Sequence, residues 1–146
     1  ASGSGNTHAG LLFGLRALGS DIPVRGICVR RDAEKQRPRI EARCREIAEL
    51  LDVTCAVTDE DVVLVDEFLA PGYGKLSDKA MRAILTGART ESLMLDPTYT
   101  GKAMAGFIQR AEQAADGGRL LFWHTGGSPA IFAYQNDLTE AMANKD

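Results

Sequence analysis

The residues of this chain best suited to chemistry are its first ten, Ala1-Ser2-Gly3-Ser4-Gly5-Asn6-Thr7-His8-Ala9-Gly10, because together they can gather an anion. Glycines let backbone N–H groups converge without Cβ clashes, and Ser2, Ser4 and Thr7 add hydroxyl donors. The run passes directly into the apolar helical pattern Leu11-Leu12-Phe13-Gly14-Leu15. The unpaired N–H groups of a helix's first turn favour a phosphate at that point. The loop is not a dinucleotide fingerprint, since His8 stands where the third glycine of G-x-G-x-x-G belongs. Nor is it a P-loop, which needs Gly-Lys-Ser/Thr. A plain Gly/Ser turn is the other reading of the same residues.

Two later loops share this character. Asp96-Pro97-Thr98-Tyr99-Thr100-Gly101-Lys102 sets a rigid turn, a phenol and two hydroxyls after the apolar Leu93-Met94-Leu95, although Tyr99 could equally pack a rim. His124-Thr125-Gly126-Gly127 repeats the arrangement after Arg119–Phe122-Trp123; its plainer reading is a helix-capping turn with His124 satisfied in the core. Structural turns have no reason to share a chemistry, so three such loops at strand ends point to one ligand crevice.

The elements that must position these loops follow from periodicity. Helical spacing over residues 7–18 precedes the β-rich run Val24–Val29. A long amphipathic helix is expected over 32–51, carrying Ile40, Cys44, Ile47, Leu50 and Leu51, with Pro38 kinking it or delaying its start. A strand is expected at Val62–Val65, then the loop Ala70-Pro71-Gly72-Tyr73-Gly74-Lys75 and a helix over about 77–90 with Ser77 and Asp78 as capping material. Leu93–Pro97 reads as a strand ending in a turn, and a helix after Gly101 presents Met104, Phe107, Ile108 and Ala111 on one face until Gly117-Gly118 cap it. Arg119–His124 reads as an apolar strand, Ser128-Pro129 as N-cap and N1 of another helix, and the residues after Gln135 as a polar tail that frays. Alternating strands and helices give an α/β class: an open, mostly parallel twisted sheet with helices on both faces, a three-layer αβα arrangement.

Composition sets bounds on function. With 146 residues, 45% hydrophobic and 25% charged, the chain can build a core. A net charge of −3 with interspersed signs shows neither the basic stripe of a nucleic-acid binder nor a polybasic membrane cluster, and no segment has the ~18 apolar residues of a span. Cys28, Cys44 and Cys55 lack metal or CxxC spacing and read as reduced thiols in a cytoplasmic setting, with no metal site. A phosphate cradle at a strand's end requires that strand, and the chain opens on the loop. Residues 1–146 are therefore expected to be the later part of a longer protein.

The runs SGSGNTHAGL, APGYG, LDPTYTGKAMAGFI and HTGGSPAIFAY together resemble the second half of the D-cysteine desulfhydrase and 1-aminocyclopropane-1-carboxylate deaminase family, pyridoxal-phosphate enzymes of tryptophan-synthase-β-type fold. The resemblance covers about residues 1–134. It implies a pyridoxal 5'-phosphate cofactor whose phosphate is held by Ser2, Gly3, Ser4, Gly5, Asn6 and Thr7. It implies that Tyr73 and Tyr99 are the active-site tyrosines, candidates for proton transfer or leaving-group contact. Thr100 matches the residue that faces the pyridine nitrogen; the deaminases carry glutamate there and leucine where this chain has Thr125. Both threonines favour the desulfhydrase branch: α,β-elimination on a small amino acid, D-cysteine first, with L-cysteate sulfo-lyase or cyclopropane deamination as alternatives.

The cofactor-bearing lysine of the family belongs to the earlier half of the protein, so Lys35, Lys75, Lys79, Lys102 and Lys145 are not expected to fill that role. Lys102 reads as an exposed or ion-paired residue. The implied enzyme is a homodimer, and residues 1–146 are most of its larger, cofactor-binding domain, inactive by themselves. A non-catalytic binder of a phosphorylated metabolite is the reading from a different class.

Overall fold

The computed structural model describes residues 1–114 and 117–143 of a mixed α/β chain, divided into two units at Glu67 and Phe68. Lys145 and Ala115 are among the residues outside this description.

In the first unit the expected opening helix is α1, Asn6–Ala17, and the two early strands are β1, Arg25–Ile27, and β2, Val63–Val65. They pair in parallel, with Arg25 opposite Val63, Gly26 opposite Leu64 and Ile27 opposite Val65. Ser2 bridges Cys28 in the same parallel sense, its N–H donating to Ile27 O at 2.7 Å, so the opening loop leaves the sheet directly. The crossover between β1 and β2 is α2, Ala33–Leu51. Pro38 lies inside α2 and does not delay its start. That start is set ahead of the proline: the Asp32 carboxylate accepts the Lys35 N–H at 2.8 Å, and Asp66 accepts that of Ala33 at 2.8 Å. The periodic residues of the two helices meet in the core, where Ala9, Leu12 and Phe13 pack against Ile40, Cys44 and Ala48 with Val62 beneath. Leu50 and Leu51, expected on that face, are exposed. Burial pushes the Cys28 and Cys44 thiols up to about 11, which keeps them protonated and unreactive.

The second unit is built on α3, Asp78–Glu91, and α4, Thr100–Gln113. Ser77 caps α3 by accepting the Ala80 N–H at 3.2 Å, as its sequence position suggests. Ala80, Ala83, Ile84 and Gly87 form the buried stripe of α3, and close approach to α4 is permitted by Gly101. A Cβ there would stand 2.7 Å from Ile84 Cγ1 and 2.8 Å from Asp96 O. Helix α4 ends at Gln113 with Ala114 as its cap, ahead of the glycines expected to stop it, and Ala111 is exposed.

The segments 93–96 and 119–124 belong to no ladder among the described residues, contrary to expectation, and Pro97 lies in the turn that follows. A strand needs a hydrogen-bonded neighbour, and here the neighbours are side chains: the Met94 carbonyl accepts from Ser128 Oγ at 3.2 Å and lies 3.2 Å from His124 Nε2. After Gly127, which takes the cap position expected of Ser128, a 3₁₀ helix Ser128–Tyr134 leads into α5, Gln135–Ala143; the expected frayed tail is helical that far. Among the described residues no helix is long and apolar enough to cross a membrane, and no cluster of His, Cys, Asp or Glu could hold a metal.

Candidate active site

The opening loop turns at Gly5 into the N-terminus of α1. Gly5 sits at φ +95°, a conformation that suits glycine, and leads into a helix whose first turn contains no acid and has no side-chain cap. The contrast with α2 and α3 is direct, since Asp32 and Ser77 occupy the corresponding donors there. The α1 ladder begins with Ala9 N–H donating to Gly5 O at 2.8 Å, and of the amides before it that of Asn6 donates to Ser4 Oγ at 3.4 Å. Ser4, Asn6 and Thr7 are exposed around them.

Ser2 stands apart from that set. It is buried, its N–H is committed to Ile27, and its hydroxyl accepts from Gln36 Nε2 at 3.1 Å and lies 3.2 Å from His8 Nδ1. Ser2 thus anchors the loop from beneath, which sequence reading did not separate from direct phosphate contact. Gln36 also donates to Gly3 O at 3.2 Å, as does Arg31 at 3.1 Å, so the loop carbonyl that would repel an anion is satisfied from behind. His8 packs on Gly26, where a Cβ would stand only 2.3 Å from Nδ1. Burial lowers its pKa to about 4, so its imidazole is neutral at physiological pH.

In the second unit the loops of residues 69–75, 96–101 and 124–128 come together. Tyr73 and Tyr99 are joined by a hydrogen bond between their hydroxyls, with ring centroids 6.0 Å apart in an edge-to-face arrangement at 71°. Tyr73 is 48% exposed and Tyr99 half-buried, so the pair is open to a ligand.

The organiser of the second loop is Asp96, which sequence reading treated only as part of a turn. Its buried carboxylate accepts from the N–H groups of Thr98, Tyr99 and Thr100, each at 2.8 Å, and from Thr100 Oγ1 at 2.7 Å. These charge-assisted bonds at the start of α4 offset its desolvation. Thr100 is correspondingly turned inward: 1% exposed, its hydroxyl proton given to Asp96 while its oxygen accepts the Asp96 N–H at 2.8 Å. Thr125 is exposed instead, two residues before Gly127, which touches Asp96 so closely that a Cβ would lie 2.6 Å from Oδ1. His124 is exposed as well, not satisfied in a core.

Lys102 overturns its expectation. It is fully buried, and its ammonium donates to Leu69 O at 2.9 Å and Gly72 O at 2.6 Å, with burial lowering its pKa. Its place among Gly101, Ala103, Ala105 and Gly106, all small, was the signal of a buried helix face. Tyr134, also unassigned from sequence, donates to Gly74 O at 2.5 Å and lies 3.2 Å from Thr98 Oγ1.

A family model described as "Pyridoxal-phosphate dependent enzyme" matches residues 1–126. The chain is 46% identical over 136 residues to the D-cysteine desulfhydrase of Yersinia enterocolitica serotype O:8 / biotype 1B, covering 92% of this chain and 41% of that protein. It is equally similar to the Salmonella typhi D-cysteine desulfhydrase, covering 40% of it. A solved structure described as that of an ACC deaminase homologue superposes with a TM-score of 0.84 at 37% identity, covering 95% of this chain and 42% of that one. The chain therefore spans about two fifths of the length of the relatives it matches.

Proposed function

This chain belongs to the pyridoxal-phosphate dependent enzymes, and from that premise we propose that the whole protein converts D-cysteine and water to pyruvate, ammonia and hydrogen sulfide. The observation that carries the reading is the acid-free start of α1 behind Gly5, a cap residue without a side chain, where Asp32 and Ser77 close α2 and α3. Amides of the loop Gly3 to Thr7 and the exposed hydroxyls of Ser4 and Thr7 would hold the cofactor phosphate, with Ser2 as the anchor below. Bound pyridoxal phosphate supplies the electron sink that allows the α-proton and the β-substituent of the substrate to leave.

Tyr99 Oη gives a proton to the departing sulfur, and Tyr73 Oη, hydrogen-bonded to it, replaces that proton. Thr100, whose hydroxyl proton goes to Asp96, is the residue whose position would face the ring nitrogen, and the exposed Thr125 would offer its hydroxyl to cofactor or substrate. None of the described lysines suits the cofactor-bearing role: Lys35 pairs with Asp32, Lys79 lies over Phe68 and Lys102 is spent on carbonyls, while Lys75 follows a glycine turn. Residues 1–146 are accordingly most of a larger cofactor-binding domain, inactive alone. The three free thiols fit a cytoplasmic enzyme, and the family resemblance fits a homodimer.

Deamination of 1-aminocyclopropane-1-carboxylate is the second reading, favoured by the deaminase-homologue structure. Threonine at positions 100 and 125, where that activity goes with glutamate and leucine, stands against it. Offering the full-length holoenzyme D-cysteine, L-cysteate and the cyclopropane amino acid separately decides the matter. Sulfide and pyruvate in equal amounts from D-cysteine are expected; turnover of the cyclopropane substrate alone establishes the second reading, and sulfite from L-cysteate a third. Tyr99→Phe is expected to keep the cofactor's visible absorption while lowering kcat by about a hundredfold, and unchanged turnover removes that phenol from the proton path.

A further inference from the structure

The loop that carries Tyr73 is poorly equipped to hold its own position. It contains two glycines at positive φ, Gly72 at +141° and Gly74 at +67°, and its tyrosine is 48% exposed. Its own backbone contributes two turn bonds, Gly72 N–H to Leu69 O at 2.9 Å and Lys75 N–H to Gly72 O at 3.3 Å. Ordering such a segment costs backbone entropy.

External donors supply what the loop lacks. Lys102, from the first turn of α4, places its ammonium on the carbonyls of Leu69 and Gly72; Tyr134, from the 3₁₀ helix, places its hydroxyl on that of Gly74. The held carbonyls bracket Tyr73 on both sides. Both donors are also tied to the other tyrosine's loop: Lys102 is three residues from Tyr99, whose carbonyl accepts the Ala103 N–H at 3.1 Å, and Tyr134 bonds Thr98. Burying an ammonium on carbonyls alone is a costly way to fill space, and a position chosen for packing would carry an apolar side chain.

We propose that Lys102 and Tyr134 form a two-point clasp that positions the Tyr73 hydroxyl against that of Tyr99 for catalysis. The inference rests on the reading that these two phenols serve the reaction. Lys102 and Tyr134 act through Tyr73 and are positioning residues.

The test uses the full-length holoenzyme with Lys102→Met, Tyr134→Phe and Tyr73→Phe, and the two combinations with Tyr73→Phe. Tyr134→Phe, which removes one oxygen and keeps the ring, serves if Lys102→Met does not fold. Hydrogen exchange of residues 69–75 is expected to quicken at least tenfold in each clasp variant, with α3 unchanged. The kcat for D-cysteine is expected to fall at least tenfold in each, with KM and visible absorption little altered, and by less than twofold when the change is made on top of Tyr73→Phe. Unchanged exchange in the loop overturns the clasp, and losses that multiply with Tyr73→Phe overturn its action through Tyr73. Faster exchange beside a fully active Tyr73→Phe enzyme instead overturns the catalytic reading of that phenol, while the clasp on the loop stands.

Discussion

At the scale of single residues, the opening loop depends on a backbone conformation that few side chains tolerate. Gly5→Ala introduces a Cβ at φ +95°, costing about 1–2 kcal/mol, and places it 2.8 Å from Ile40 Cδ1. The isoleucine end can swing aside, so the dihedral penalty dominates, and it falls on the loop proposed to hold the phosphate. The full-length Gly5→Ala protein is expected to bind pyridoxal phosphate roughly tenfold more weakly with its thermal midpoint lowered by a few degrees. Spectrophotometric titration of the apoenzyme measures the first, and an affinity equal to wild type would detach the loop from the cofactor. Ser2, Gln36 and Arg31 illustrate a second kind of residue, polar groups whose value lies in satisfying carbonyls and hydroxyls behind an anion site rather than in touching the anion.

At the scale of elements, α3 and α4 separate stability from site geometry. Ser77→Ala removes one cap from α3 and is expected to cost about 1 kcal/mol in chemical denaturation while changing turnover little, because the bond lost is the one to the Ala80 N–H within the start of that helix. Gly101→Ala puts a methyl against Asp96 O and Ile84, costing about 1–3 kcal/mol, and the strained backbone is that of the turn bearing Tyr99 and Thr100. Both stability and kcat are expected to fall in that variant. Equal turnover in the two mutants would show that the Asp96 turn tolerates displacement.

At the scale of the molecule, acid stability has an identifiable contributor in His8. The folded imidazole takes a proton only near pH 4, while an unfolded one does so near 6.5, so the unfolded chain binds the extra proton between these values. Stability from this group is complete above about pH 6.5 and declines as the pH falls towards 4, by about 3 kcal/mol in all. Urea midpoints of the full-length protein at pH 7.5 and 4.5 are expected to differ less in His8→Asn than in wild type. An identical acid shift in both would assign the effect to other groups.

The residue order alone determined α1 to α4, the strands β1 and β2 and the family, because each is a local pattern: a period of three to four, a β-branched run, and motifs in a fixed order. The fate of polar side chains was decided only by tertiary structure. Lys102, read as exposed from its charge, is buried because α4 presents it to the carbonyls of a loop some thirty residues earlier, and no local pattern reveals that meeting. Thr100 and Ser2, read as cofactor ligands from their motifs, have hydroxyls that Asp96 and Gln36 occupy once the chain folds. The segments 93–96 and 119–124 carry strand-like residues, yet a ladder requires a neighbour as well as a propensity. Sequence names the groups able to do chemistry; the geometry of their partners decides which of them remain available for it.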